Sequence, residues 1–201
     1  MWEFQSYGSK MAFIIMSVAT SVFFSGYITL RTVSGICYAY DPIEDFDAAK
    51  FKGVWYELQR DVDIFFETGE CVTAEYGDYD GDEANYVSIV NTQYFIDEAR
   101  EDQIEGYAIA NTIFGGKIDV YLAGSPVGAD YRVIATDYDS YAIIYSCTQI
   151  GPVKFPEIAW VLTRDPIEEG SADFDSMMAT VDPIFAEKMP DYEKESRMRT
   201  T

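Results

Sequence analysis

The chain has 201 residues, of which 48% are hydrophobic and 16% are aromatic, so it can form one domain with a sizeable core. Its 35 acidic residues against 14 Lys and Arg give a formal net charge of −21, which repels phosphate backbones and anionic lipid surfaces and argues against nucleic acid as a partner. The absence of His removes the usual general base and the commonest metal ligand, and it excludes Ser–His and Cys–His nucleophile systems within one chain. We therefore predict no metal site, no cofactor and no catalytic residue.

Residues 1–35 are predicted to be a targeting segment, either a cleaved signal peptide or a signal anchor. Lys10 precedes a long apolar run, and small residues at 33–35 would suit cleavage. The run is about long enough to span a bilayer, which keeps the anchor open as an alternative. Cleavage is favoured because Cys37 follows at once and suits an oxidising compartment. We expect an extracellular, secreted protein that has no stable membrane insertion after cleavage.

Residues 36–189 are predicted to form the folded domain. Apolar and polar residues alternate in short runs that are broken by turn residues, which is typical of an antiparallel meander. No spacing fits βαβ units, so closure of the strands into one barrel is the natural solution. The predicted strands are 52–62, 71–79, 86–95, 103–112, 117–123, 131–137, 141–149 and 158–164.

One amphipathic helix is predicted after the last strand. Ser171 is placed to cap it, and an apolar stripe runs from Phe174 to Val181. Pro183 is expected to end the helix. The stripe predicts a C-terminal α-helix that packs on the outside of the barrel, followed by a frayed polar tail over residues 190–201.

Three short motifs stand far apart in the sequence: Gly53-x-Trp55 in the first strand, Thr136-Asp137-Tyr138 at a hairpin bend, and Arg164 after a second strand that bears Trp. Together they resemble the motifs of the lipocalin family, which meet at the closed end of an eight-stranded barrel. The resemblance implies that Arg164 packs across Trp55. A planar, weakly hydrated guanidinium stacks well on an indole face, which gives this contact a physical rationale.

The resemblance runs from about residue 37 to residue 189. It implies an all-β fold, an eight-stranded antiparallel up-and-down barrel with one C-terminal helix packed outside. Within the family it is closest to the apolipoprotein D and insect bilin-binding branch, through Phe66-Glu67-Thr68-Gly69-Glu70-Cys71, Ile104-Glu105-Gly106, Ala135-Thr136-Asp137-Tyr138, Tyr145-Ser146-Cys147 and Ala159-Trp160-Val161-Leu162.

The chain has three cysteines, an odd number that cannot all pair internally. The resemblance implies a disulfide between Cys37 and Cys147. Cys71 is then free, paired between chains or in competition for Cys147. We consider two interpretations of a free Cys71: a half-buried small apolar residue in a monomer, or the link of a disulfide-bonded dimer.

The interior of the barrel is predicted to hold a ligand. The resemblance implies that Tyr76 and Trp160 are pocket aromatics, and the strand pattern adds further wall candidates: Tyr94, Ile109, Phe114, Tyr121 and Val133. Glu57 shares a strand face with Trp55, and an inward carboxylate must be paired or contact a polar part of the ligand. Phe65 and Phe66 in an open loop are either a lid or ordinary packing.

Two classes of function follow from the resemblance. The first is a secreted carrier that binds one small hydrophobic ligand, with fatty acids, steroids or isoprenoids, and tetrapyrroles all compatible with an aromatic lining. The second is a lipocalin-type enzyme that uses Cys71 as a pocket thiol. The carrier is favoured, and the chain is expected not to be an enzyme, because no His or nearby Lys would activate that thiol.

Overall fold

The computed structural model describes residues 33–62, 64–80, 85–110, 115–125 and 127–201. The strands and helices in chain order are β1 (Val33–Ser34), α1 (Ala48–Phe51), β2 (Gly53–Asp61), β3 (Glu70–Asp78), β4 (Tyr86–Phe95), β5 (Arg100–Ala110), β6 (Lys117–Leu122), β7 (Ala129–Thr136), β8 (Tyr141–Ser146), β9 (Gln149–Ile150), β10 (Val153–Lys154), β11 (Ile158–Thr163), α2 (Ala172–Lys188), α3 (Lys194–Arg197) and β12 (Met198–Thr200).

Eight antiparallel strands close into one barrel. They pair in the order β2-β3-β4-β5-β6-β7-β8-β11, and β11 pairs back with β2. Strand β12 adds to β2 outside this ring, and the short strands β1, β9 and β10 form a separate sheet. The predicted eight-stranded antiparallel barrel with a C-terminal helix is confirmed.

Strand β11 shows how the barrel and the helix share the core. All six of its residues are buried. Trp160 and Leu162 belong to the apolar cluster inside the barrel, whereas Ala159 and Val161 belong to the cluster that includes residues of α2. Because neighbouring side chains of a strand point to opposite faces, a strand covered on both faces needs an unbroken apolar run.

Helix α2 begins after Ser171, whose hydroxyl accepts a hydrogen bond from the backbone N–H of Phe174 at 3.1 Å. The helix passes through Pro183 and ends at Lys188, so the expectation that Pro183 ends it is wrong. A proline inside a helix removes one N–H and crowds the preceding turn. Phe185, two residues further on, is buried in the cluster outside the barrel, and this burial offsets the local cost.

Residues 190–201 pack on the barrel, in contrast to the frayed polar tail that we predicted. Tyr192 is 1% exposed, and its hydroxyl donates a hydrogen bond to the buried carboxylate of Asp61. Arg197 Nη2 donates to the same carboxylate at 2.8 Å, and β12 pairs with the end of β2. A buried carboxylate is costly without partners, and the C-terminal segment supplies them.

Trp55 fills one end of the barrel, which we call the closed end. Its side chain is fully buried, and the indole N–H donates to the carbonyl of Phe51 at 2.9 Å. The guanidinium carbon of Arg164 lies 3.7 Å from the centroid of the Trp55 ring. Arg164 also donates hydrogen bonds to the carbonyls of Val54 at 3.1 Å and Tyr138 at 2.9 Å. The three motifs therefore meet in one packed unit.

The backbone of the closed end depends on Gly53 and Asp137. Gly53 has a φ of +102°, and a Cβ at this position would lie 3.2 Å from Arg164 Nη1, so a larger residue would be strained and would crowd the guanidinium. The Asp137 carboxylate accepts hydrogen bonds from the backbone N–H groups of Ser140 at 2.8 Å and Tyr141 at 3.0 Å. This carboxylate holds the bend between β7 and β8 in shape.

The predicted disulfide between Cys37 and Cys147 is present, with 5.8 Å between the two Cα atoms. It ties the N-terminal segment to the residue that follows β8. Cys71 is free and exposed, which differs from the half-buried interpretation. Pairing of Cys71 between chains stays a prediction.

The predicted targeting segment lies almost wholly outside the described part of the chain, which begins at residue 33. Its cleavage or retention stays a prediction. From residue 33 onward, none of the described helices is long and apolar enough to cross a membrane.

Candidate ligand-binding cavity

The barrel contains a cavity of about 390 Å³ at the end opposite Trp55, which we call the open end. Strands supply most of its wall, and loops at this end supply the rest. Phe65 comes from the segment between β2 and β3, Val127 from the segment between β6 and β7, and Phe155 from the segment before β11. A volume of this size falls in the range of small-molecule sites.

The wall of the cavity is mainly apolar. Val72, Ile104 and Leu122 are typical of its strand residues. Among the described residues of the wall, Glu67 and Asp102 are the acidic ones, and none is Lys or Arg. The cavity thus combines an apolar lining with a small number of polar groups, as ligand sites usually do.

Trp160 and Glu67 form a buried polar contact in the wall. The indole N–H of Trp160 donates a hydrogen bond to Glu67 Oε2 at 2.9 Å, and both side chains are buried. Trp160 is held by β11, whereas Glu67 lies in the segment between β2 and β3. The bond therefore fixes this segment against the barrel beside the cavity.

Glu57 and Arg60 lie buried next to Glu67. Arg60 Nη1 donates to Glu57 Oε1 at 3.0 Å, and Nη2 donates to the carbonyl of Gly69 at 2.7 Å. Burial and the neighbouring Glu67 raise the pKa of Glu57 to about 8, and burial raises the pKa of Glu67 as well. Two carboxyl groups beside one guanidinium therefore hold at least one proton at neutral pH.

The interior continues from the main cavity towards the closed end as two smaller cavities of about 50 and 20 Å³. Tyr76 lines both, and its hydroxyl oxygen lies 3.0 Å from that of Tyr131, which lines all three cavities. Burial raises the pKa of Tyr76 to about 12, so its phenol stays protonated. Phe51, stacked at 4.9 Å on Trp55, lines the smallest cavity, beyond which the barrel is packed.

The structure brings only some of the predicted wall residues to these cavities. Trp160 lines the main cavity and Tyr76 the two smaller ones. Val133 faces inward and is fully buried, but it does not line any of the three. Phe114 lies outside the described residues.

Tyr94, Ile109 and Tyr121 are placed on the outer face of the barrel, so they are not brought to the cavity. The inward residues of these strands are their immediate neighbours: Gln93, Ala108, Ala110, Val120 and Leu122. Tyr94 is 37% exposed, and the ring of Tyr121 stacks on Tyr107 at 5.0 Å. The strand pattern separates the two faces of a strand, but it does not by itself show which face points into the barrel.

Sequence reasoning did not assign Glu67, Asn91 and Tyr131 to the wall. Tyr131 lies two residues before Val133 on β7, so strand alternation could have placed it inside. Asn91 could have been found in the same way from its place on β4, two residues after the buried Ile89. Glu67 lies outside the strands, where no alternation applies. The lid candidates Phe65 and Phe66 both line the cavity.

Comparison with known proteins agrees with this architecture. A family model described as a lipocalin-like domain matches residues 46–182. Apolipoprotein D of Bos taurus is 36% identical over 124 residues, which are 61% of this chain and 63% of that protein. Insecticyanin-B of Manduca sexta is 31% identical over 170 residues, 80% of this chain and 76% of that protein.

Solved structures show the same fold. Insecticyanin from the tobacco hornworm Manduca sexta superimposes with a TM-score of 0.63 at 23% identity, covering 86% of this chain and 89% of that one. The chain spans about 63% of the length of bovine apolipoprotein D. The extent of the family match and the closed barrel place this chain in the lipocalin family.

Proposed function

We propose that this protein is a secreted carrier that binds one small hydrophobic ligand in the cavity beside Trp160. The observation that carries the proposal is the cavity of about 390 Å³ with a largely apolar wall inside a closed barrel. Burial of an apolar ligand there removes its surface from water, which is favourable by roughly 25 cal/mol per Å². The volume suits one molecule rather than several.

The open end offers a route for such a ligand. Phe65 and Phe66 line the cavity from the segment between β2 and β3, and Phe66 is 39% exposed. Their rings pack edge to face at 5.2 Å. An aromatic pair on a connecting segment can cover a bound ligand at small cost in conformational entropy, because each ring has only two rotatable bonds.

Secretion is part of the proposal. The apolar N-terminal run and the disulfide between Cys37 and Cys147 both suit passage through an oxidising compartment. The enzyme alternative has no support from the geometry, because Cys71 is exposed and is not among the residues that line the main cavity.

Native mass spectrometry of the purified full chain tests the proposal. We expect a mass shift that corresponds to one bound hydrophobic molecule, or binding of one equivalent of an added neutral probe such as N-phenyl-1-naphthylamine. Two negative results together would contradict the carrier function: the purified chain carries no ligand, and added hydrophobic probes do not quench its Trp fluorescence.

A further inference from the structure

The wall of the main cavity presents hydrogen-bond acceptors to a ligand, and the described wall residues include two acids and no Lys or Arg. Glu67 is buried at the wall, and Asp102 lies on the same wall on β5. Asp102 is already paired with Arg100 and is about half exposed, so solvent screens it. Glu67 is therefore the acidic group that a ligand meets in the buried part of the cavity.

The nearest buried cation, Arg60, lies behind the wall of the cavity and does not face a ligand. Arg60 Nη1 is used by Glu57 and Nη2 by the carbonyl of Gly69, and Arg60 does not line any of the three cavities. An ionised carboxylate brought into the cavity would enter a poorly solvated site with no facing cation among the described wall residues.

Three hydrogen-bond donors of the wall are used within the protein. The indole N–H of Trp160 binds Glu67, the hydroxyl of Ser146 donates to the carbonyl of Asp130 at 2.8 Å, and the hydroxyl of Ser125 donates to the carbonyl of Val127 at 2.7 Å. An anionic headgroup would thus find these three donors occupied.

Acceptors, in contrast, remain available. Asn91 Oδ1 is buried in the wall and accepts no hydrogen bond from the described residues. Glu67 shares a hydrogen bond with Glu57 and accepts one from Trp160, and its two oxygens together have lone pairs for further bonds. An unpaired buried acceptor is costly, so a ligand that donates to it gains affinity.

We infer that the cavity selects ligands whose polar end donates hydrogen bonds, such as a hydroxyl, an amine or a pyrrole N–H, and discriminates against ligands that end in an ionised carboxylate. The inference rests on the proposed carrier function and narrows it. Of the three ligand classes left open above, fatty acids are disfavoured, whereas steroid or isoprenoid alcohols and the N–H groups of tetrapyrroles fit.

Three amphiphiles with the same sixteen-carbon chain test the inference: hexadecanol, hexadecylamine and hexadecanoic acid. Each is titrated at neutral pH against the full chain loaded with N-phenyl-1-naphthylamine, and displacement of the probe gives the inhibition constants. We expect the alcohol and the amine to bind at least tenfold more tightly than the acid. This ratio is measured on the unmodified protein, so it does not depend on whether a variant folds.

Glu67→Gln sharpens the test, and Glu105→Gln is its matched control. Glu105 is an exposed residue of β5, adjacent to the wall residue Ile104. Its substitution therefore removes one acidic side chain from the outer face of the same strand. We expect Glu67→Gln to reduce the alcohol-to-acid ratio at least fivefold and the control to leave it unchanged. Equal binding of all three amphiphiles, or an equal effect of both substitutions, would overturn the proposed selectivity and leave the carrier function standing. Binding of none of them, including the probe, would overturn the carrier function with it.

Discussion

The two ends of the barrel are built on different physical principles. At the closed end, Trp55 is fully buried, stacked against Arg164 and bonded to the carbonyl of Phe51. At the open end, Trp160 faces a cavity of about 390 Å³ and bonds to the buried carboxyl of Glu67. One tryptophan completes a packed core and the other leaves space beside it. We propose that the first end mainly stabilises the fold and that the second end binds the ligand.

Removal of the Arg164 side chain tests whether the closed end contributes mainly to stability. Arg164→Ala loses the stacking on Trp55 and several hydrogen bonds to backbone carbonyls, so we expect the free energy of unfolding to fall by about 1–3 kcal/mol. Chemical denaturation measures this loss. Arg164 lines none of the three cavities, so the dissociation constant of a neutral probe should change less than threefold.

Arg164→Lys is the matched control, because it keeps the charge but cannot reproduce the planar stack. An intermediate loss of stability is expected. A normal unfolding midpoint in both variants, or a large loss of probe binding with normal stability, would contradict the division between the two ends.

The carboxyl pair at the open end predicts a pH dependence of stability. The pKa of Glu57 rises from 4.5 to about 8 in the folded chain, so between these values the folded state holds a proton that the unfolded state has released. Its contribution to stability is complete below pH 4.5 and is lost as the pH rises towards 8. The slope for one proton is at most about 1.4 kcal/mol per pH unit. No His is present to add its own titration in this window.

Denaturation curves at pH 5.5, 6.5 and 7.5 measure this dependence. We expect the free energy of unfolding to decrease with increasing pH, and Glu57→Gln to flatten the decrease. Glu105→Gln serves again as the exposed control. An increase of stability over this range, or an unchanged slope in Glu57→Gln, would show that the carboxyl pair is not the titrating unit.

The closed end was accessible from the sequence because its three motifs resemble those of the lipocalin family, and the contacts agree with the physical roles of these residue types. A glycine with positive φ, an indole and an Arg that stacks on it form a set that few other arrangements satisfy. The alternation of apolar residues predicted the eight strands for a similar reason. A strand in a barrel has one inward and one outward face along its whole length.

The residues that line the cavity were harder to predict from the sequence, because a cavity depends on where side chains leave space and not on a local residue pattern. Ile109 and Tyr121 are bulky residues on barrel strands, yet alternation places both outside, where tyrosines stack on one another. Glu67 is held in a connecting segment by a bond to Trp160, 93 residues away. Such long-range pairing leaves no local pattern in the sequence.

The C-terminal segment was missed for the same reason. Its partner is Asp61, which lies 131 residues before Tyr192. Read by itself, the segment over 190–201 is polar and short, with no apolar periodicity. The buried carboxylate of Asp61 gains its partners from Tyr192 and Arg197, and Tyr192 also packs in the apolar cluster outside the barrel.

The binding of a neutral hydrophobic probe to Trp160→Ala tests the central claim, that the open end is the ligand site. The substitution removes roughly 2–3 kcal/mol of binding free energy from contacts with the ligand, so the dissociation constant should increase ten- to hundredfold. Tyr121→Ala is the matched control, because it removes an aromatic ring from the outer face of the same barrel. The account predicts weaker binding in the first variant and unchanged binding in the second. Equal affinity of Trp160→Ala and the unmodified protein would contradict it.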